Sequence, residues 1–287
     1  MSAANPTETV QVTSGELTLV GDHWTVPGQS KGSVLLQHGG GQRRHSWKGT
    51  GERLARAGWD VWSFDARGHG DSSWAPDGDY SGDALVNDLM AIRQHIGQAP
   101  VLVGASMGGI TSLLAEGERG PLSPALVLVD IVATPDPEGT RRIHEFMTAA
   151  PHGFATLEEA ADAISAYNPN RPRPKSLDGL KRNLNLGDDG RWHWHWDPNF
   201  LTLDSEPRRG TPDDRLVAAS RAVRVPTLLV RGGNSDVVSP EGFAEMQALI
   251  PHAETAEVGA AGHMIAGDDN DIFMHELVQF LERAQQR

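Results

Sequence analysis

The sequence predicts an α/β fold: a mostly parallel, twisted sheet flanked by helices, with an α-helical cap inserted between two strands. Three observations carry this. Short runs rich in Val, Leu and Ile alternate with helical patterns, as in a sheet built with crossover helices. The runs are apolar throughout, which suits parallel strands covered on both faces. Between about 133 and 224 the alternation stops, and it then resumes.

The elements follow in order. Residues 10–26 alternate apolar with polar and read as an antiparallel hairpin at the sheet edge. Central strands are expected at 34–37, 61–64, 101–103, 126–129 and 227–230. Residues 82–96 place Leu85, Leu89, Ile92 and Ile96 at helical spacing, so a helix is expected there. Ser239-Pro240-Glu241 resembles an N-cap followed by proline at the first helical position. A last helix over 271–284 puts Phe273, Leu277, Phe280 and Leu281 on one stripe. The 133–224 block shows no strand run, only four short helical segments. Thr156 with Glu159 forms a capping-box signal. Residues 168–174 hold three prolines and must connect rather than coil. The expected division is therefore a core of 1–132 and 225–287 with a cap of 133–224.

Composition narrows the function. The 287 residues include no cysteine, so neither a disulfide framework nor a thiolate metal site is expected. With 25 Lys+Arg against 38 Asp+Glu the formal charge is −13. Such an excess disfavours nucleic acid and anionic membranes as partners and leaves a small-molecule substrate. The first ten residues lack the basic start and apolar stretch of a signal peptide, and no long apolar run suggests a span. A cytoplasmic location is expected.

The chemistry centres on VLVGASMGG at 101–109: a strand, then G-x-S-x-G, then a helical pattern. The glycines let the chain turn sharply enough to project the Ser106 hydroxyl. The Met107 amide then opens toward the site at a helix start, where an oxyanion is favoured. HGGG at 38–41 follows one strand and DARGHGDS at 65–72 follows the next; GGNSD ends at Asp236, and Gly262-His263 comes last. In this order, over essentially the whole length, the chain resembles the α/β-hydrolase superfamily in its serine-nucleophile branch.

The resemblance implies Gly40 as the second oxyanion donor beside Met107, and His263 as the general base in the order Ser–acid–His. A neutral imidazole suits that task near pH 7. Asp236 is the preferred acid, with Asp130 at the end of an earlier strand as the alternative. His38 and His69 are expected to be packing and scaffolding residues. No metal and no cofactor is expected. Trp47 resembles an aromatic pocket position. If 191–197 is extended, Trp192, Trp194 and Trp196 share one face and His193 and His195 the other, so Trp194 and Trp196 are pocket candidates. Arg171 and Arg173 read as a solvated basic surface, or as partners for a substrate carboxylate.

A serine at the elbow excludes the carboxylate-nucleophile epoxide hydrolases and dehalogenases of this fold. The expected reaction is hydrolysis of a carboxylic ester or lactone of a small, apolar substrate through an acyl-enzyme on Ser106. C–C bond hydrolysis of a diketone by the same triad is the enzymatic alternative. A ligand receptor retaining the fold is the alternative outside catalysis.

Overall fold

The computed structural model describes residues 8–167, 177–201, 213–259, 262 and 271–286. The proline-rich connector, with Arg171 and Arg173, lies outside them. Ten strands and eight α-helices are present among the described residues. They are β1 (Glu8–Ser14), β2 (Leu17–Trp24), β3 (Ser33–Gln37), α1 (Lys48–Arg56), β4 (Asp60–Phe64), α2 (Gly82–Ile96), β5 (Val101–Ala105), α3 (Met107–Arg119), β6 (Leu126–Val129), α4 (Pro137–Thr148), α5 (Leu157–Tyr167), β7 (Leu184–Leu186), β8 (Trp192–Trp194), α6 (Asp214–Ala222), β9 (Thr227–Gly232), α7 (Pro240–Leu249), β10 (Glu254–Val258) and α8 (Asp271–Ala284). Eight strands form one sheet in the order β1-β2-β4-β3-β5-β6-β9-β10. β2 is antiparallel to both β1 and β4, and the remaining pairings are parallel.

The all-apolar strands are explained by what covers each face. Side chains alternate across a strand. Leu35, Leu102, Leu128 and Leu229 accordingly face α2, α3, α6 and α7, packing with Leu89, Leu113, Leu216 and Met246. Their neighbours Leu36, Val103, Val129 and Val230 face α1 and α8, packing with Leu54, Phe273, Leu277 and Phe280. Burying each such side chain contributes roughly 1.5–3 kcal/mol. Ser81 caps α2 by accepting the Ala84 amide, and Gly97 ends it in the left-handed region at φ 76°.

The 133–224 block differs from expectation in two ways. It contains a two-stranded hairpin, β7 with β8, which the sequence hid because three-residue strands leave too short an alternation. Its last helix, α6, packs on the core: Leu216, Ala219 and Val223 join the cluster under the sheet. The chain leaves the core at Ala133 and returns at Asp213, whose N–H donates to the Ala133 carbonyl at 3.0 Å. A separate small cluster of Phe154, Ala160, Ala161, Leu180 and Leu184 holds the outer segment together. No helix of the described residues is long and apolar enough to cross a membrane.

One buried charge pair at the sheet edge yields a pH prediction. His23 on β2 places Nε2 2.8 Å from Asp60 Oδ1 and Nδ1 3.1 Å from Glu8 Oε1. Its ring stacks on Trp62 with centroids 3.4 Å apart. Burial by itself would lower the His23 pKa, but the hydrogen bonds and charges of Asp60 and Glu8 outweigh it and raise the pKa above 6.5. For Asp60 burial would raise the pKa, and the His23 and Trp62 hydrogen bonds more than reverse that. The His23 contribution is thus complete below pH 6.5 while Asp60 stays ionised, and it is lost as pH rises through the raised native value. His23→Gln should cost about 2 kcal/mol at pH 6 and clearly less at pH 9. Urea unfolding of both proteins at the two pH values checks this, and a pH-independent difference would count against it.

Candidate active site

Ser106 sits between β5 and α3 at φ 47° and ψ −118°. Non-glycine residues rarely adopt positive φ, and holding one there costs on the order of 1–3 kcal/mol. The surroundings over-determine it: the Ser106 N–H donates to Val129 O at 3.0 Å, and its carbonyl accepts the Ile110 N–H at 2.8 Å. The turn also demands close backbone approach. A Cβ on Gly104 would lie 2.3 Å from Gly108 O, and one on Gly108 would lie 2.5 Å from Gln37 O. Met107 opens the 13-residue α3, so the positive end of that helix lies beside Ser106.

The glycine loop of 38–42 runs beside it. A Cβ on Gly39 would stand 3.3 Å from Ser106 Cβ. Gly39 donates its N–H to Gln42 Oε1 at 3.0 Å, and Gly41 donates to His69 Nε2 at 3.1 Å. The Gly40 and Met107 amides have no acceptor among the described residues, and both residues line the cavity that Ser106 faces. Two unspent donors beside a hydroxyl can stabilise an oxyanion.

The two candidate acids occupy different environments. Asp130 follows β6, the strand beside β5, at φ 55° and is 2 % exposed. Its Oδ1 accepts the Gly232 N–H at 2.9 Å and its Oδ2 the Ser235 hydroxyl at 2.6 Å. Asp236 follows β9 in a turn. Its side chain is 34 % exposed, and it pairs with Arg142 of α4 at 3.0 Å. His263 lies outside the described residues. Its neighbour Gly262 is placed beside that turn: a Cβ on it would lie 3.8 Å from Asn234 O.

Three other histidines surround the glycine loop, all fully buried. His38 Nδ1–H donates to Gly39 O, and its Nε2 accepts the Ala66 N–H. His69 Nδ1–H donates to Arg67 O, leaving Nε2 to accept from Gly41. His195 accepts the Gly70 N–H at Nδ1. Burial first, and neighbouring histidines second, push His69 down to about 3 and His195 down to about 2. They are neutral at any working pH and are poorly suited to accept a proton from Ser106.

The cavity over Ser106 measures about 470 Å³, within the usual range for a small-molecule site. Trp194 and Trp196 line it, stacked on each other at 4.6 Å and 12°. Trp192 packs in the outer cluster instead, while His193 turns outward to Asp189 and His195 inward to Gly70. Trp47 corrects the expectation placed on it. The short 3-10 helix Arg44–Trp47 turns the ring into the core on the α1 and α8 face of the sheet, 6.1 Å from Phe273, and it does not line the cavity. Phe146, Tyr167 and Phe200 also line it, and none of the three was expected there from the sequence. Ile143, Phe146 and Met147 at helical spacing could have flagged the first; Phe200, in a Pro-Asn-Phe-Leu turn, carried no signal. Burial and the Asp236 charge push the Tyr167 hydroxyl up to about 12. Among the described residues no group of three or more His, Asp or Glu side chains is placed to hold a metal ion.

The chain is similar to known hydrolases. It is 31% identical to an sn-1-specific diacylglycerol lipase of Mus musculus over 79% of this chain and 73% of that one. It is 29% identical to an esterase of Mycobacterium tuberculosis over 84% and 80%. A solved structure of an alpha/beta hydrolase from Novosphingobium aromaticivorans superposes with a TM-score of 0.79 at 27% identity, covering 98% of this chain and 99% of that one. These relatives support hydrolytic activity. The family model described as alpha/beta hydrolase fold matches residues 32–269, a span that runs from the strand before the glycine loop, through the Ser106 elbow, to beyond His263. By that match and by its sheet, the chain belongs to the alpha/beta hydrolase family, and Ser106 at the elbow is consistent with the serine-nucleophile branch.

Proposed function

We propose that the chain is a serine hydrolase that cleaves a carboxylic ester or lactone of a small, apolar substrate through an acyl-enzyme on Ser106. The observation that carries this reading is Ser106 itself, strained at the elbow beside two unspent amides and facing a cavity of mostly apolar lining.

In this reading Ser106 Oγ attacks the carbonyl carbon while His263 takes the hydroxyl proton. The Gly40 and Met107 amides hold the oxyanion, and His263 returns the proton to the leaving alcohol. Water, deprotonated by His263, then attacks the acyl-enzyme carbonyl; the acyl–Oγ bond breaks, His263 returns the proton to Ser106 Oγ, and the acid leaves. Asp130 is the acid we favour for orienting His263. It is buried at the end of the strand next to the one that carries Ser106; the Gly232 and Ser235 hydrogen bonds fix its carboxylate, an acceptor-only group suited to receive an imidazole N–H. Asp236, half-exposed and committed to Arg142, ties α4 to the core. The cap of this reading comprises the elements from α4 to the short helix Pro198–Leu201, with α6 assigned to the core.

Steady-state hydrolysis of p-nitrophenyl acetate and butyrate, combined with labelling by a fluorophosphonate, tests the proposal. Sustained turnover abolished in step with labelling of the Ser106 peptide is expected. Labelling without turnover on esters and lactones, but with cleavage of a β-diketone, would replace it with C–C hydrolysis. A single turnover followed by a stall would indicate a receptor.

A further inference from the structure

Of the three successive glycine amides beside Ser106, the outer two are spent on side chains and the middle one is not. The Gly39 N–H goes to Gln42 Oε1 and the Gly41 N–H to His69 Nε2. Glycine loses more backbone freedom on folding than any other residue, so a run of three points its amides reproducibly only if something outside the run holds it. Gly41 also sits at φ 71°, in the left-handed region.

We infer that His69 is a positioning residue for the oxyanion hole: as a hydrogen-bond acceptor it holds the Gly41 amide and thereby aims the Gly40 amide at the reacting carbonyl. The inference rests on the serine-hydrolase reading above. His69 is built for accepting. Its Nδ1–H is committed to Arg67 O at 3.0 Å, which fixes the tautomer and leaves Nε2 with a lone pair toward Gly41. The ring is fully buried, and burial disfavours the protonated form that would turn Nε2 into a competing donor.

The cap completes the brace. Asp197 donates its N–H to Gly68 O at 2.8 Å and accepts the Tyr80 hydroxyl. His195 accepts the Gly70 N–H at 3.0 Å. The turn that carries His69 is thus tied on both sides to one cap segment. Phe200, from the same segment, stands edge-on to His69 with centroids 4.7 Å apart. Its ring would lie 3.5 Å from a Cβ on Gly40. His69 is therefore pressed from above by the segment that also covers the proposed oxyanion donor.

The test uses two replacements and two readouts. His69→Leu keeps comparable bulk and removes the acceptor; His69→Gln restores an acceptor oxygen near the Nε2 position. On a p-nitrophenyl ester, His69→Leu should lower kcat about a hundredfold with KM within about twofold, the signature of a lost oxyanion donor. His69→Gln should recover most of the loss. Binding of a trifluoromethyl ketone, which places an oxyanion in the hole, should weaken in proportion. Amide exchange of the wild type supplies a readout independent of turnover: the Gly41 amide should be protected and the Gly40 amide should exchange freely, with Gly41 protection lost in His69→Leu and regained in His69→Gln. An unprotected Gly41 amide overturns the inference whether or not the protein turns over. So does a folded His69→Leu protein with wild-type kcat, or one whose defect His69→Gln leaves untouched. If His69→Leu does not fold, His69→Met serves as the more pliant apolar replacement, and the wild-type exchange pattern still decides. Absence of Ser106-dependent turnover with a protected Gly41 would reject the hydrolase reading alone.

Discussion

Ser106→Ala is expected to lower kcat/KM for p-nitrophenyl butyrate by about 10⁴–10⁶-fold, the range seen when a triad nucleophile is removed. The physical reason is that, among the described residues, no other serine or threonine hydroxyl lining the cavity is placed to take over, and Thr140 donates its own to Asp136 O at 2.9 Å. Thr111 lines the same cavity, but its hydroxyl donates to Met107 O at 2.9 Å within the helix. The residual rate should reflect binding and the two amides alone. The replacement also separates chemistry from strain. Alanine at φ 47° and ψ −118° is as strained as serine, so Ser106→Ala should unfold near the wild-type midpoint. Ser106→Gly should be more stable than Ser106→Ala by about 1–3 kcal/mol, because glycine tolerates positive φ. Thermal unfolding of the three proteins checks this. Activity surviving in Ser106→Ala on a protein free of contaminating esterase would sink the acyl-enzyme mechanism. Equal midpoints for the Ala and Gly replacements would show that the elbow stores no strain.

Most of the sheet was legible because its signal is local and strong. The strand at 126–129 and the helices at 82–96 and 271–284 match their expected bounds, since continuous apolar runs between turn residues and four-residue helical stripes leave little ambiguity. The 133–224 block was legible only as an interruption. It holds a hairpin of two three-residue strands, and its last helix, α6, carries the same short amphipathic pattern as α4 although it packs on α3 and α7 rather than over the cavity. Which side of the cavity a helix lies on is a tertiary fact that periodicity does not encode. Trp47 shows the same limit. Its place after the glycine loop suggested the pocket, yet one turn of 3-10 helix carries the ring into the core against Phe273. The two carboxylates look alike by type and strand-end position, and the preference for Asp236 rested on resemblance alone. Their surroundings differ through Arg142, Gly232 and Ser235, which reach them from distant parts of the chain.

Those surroundings make the acid testable by a matched pair of replacements, and the expected contrast is large. Asp130→Asn should lower kcat about 10³–10⁴-fold while KM stays within a few-fold, because an amide in place of the carboxylate would hold the base in the wrong tautomer and leave its imidazolium unstabilised. Folding should tolerate the change: the asparagine oxygen can still accept the Gly232 N–H, and its amide can donate to the Ser235 hydroxyl that now donates to Oδ2. Asp236→Asn removes an ion pair with Arg142 in which the two side chains are 34 % and 43 % exposed. Such a pair contributes about 0–1 kcal/mol, so kcat should stay within about threefold of wild type. Any change should fall on KM and on its dependence on salt, since α4 carries Phe146 and Met147 over the cavity. The reverse pattern, a collapse of kcat in Asp236→Asn with Asp130→Asn nearly unaffected, would return the acid to Asp236 and would mean that Arg142 gives up its carboxylate when substrate is bound. Intermediate losses in both would indicate that either carboxylate can orient the imidazole. The double replacement would then decide, since two acids that back each other up lose far more together than the product of their separate effects.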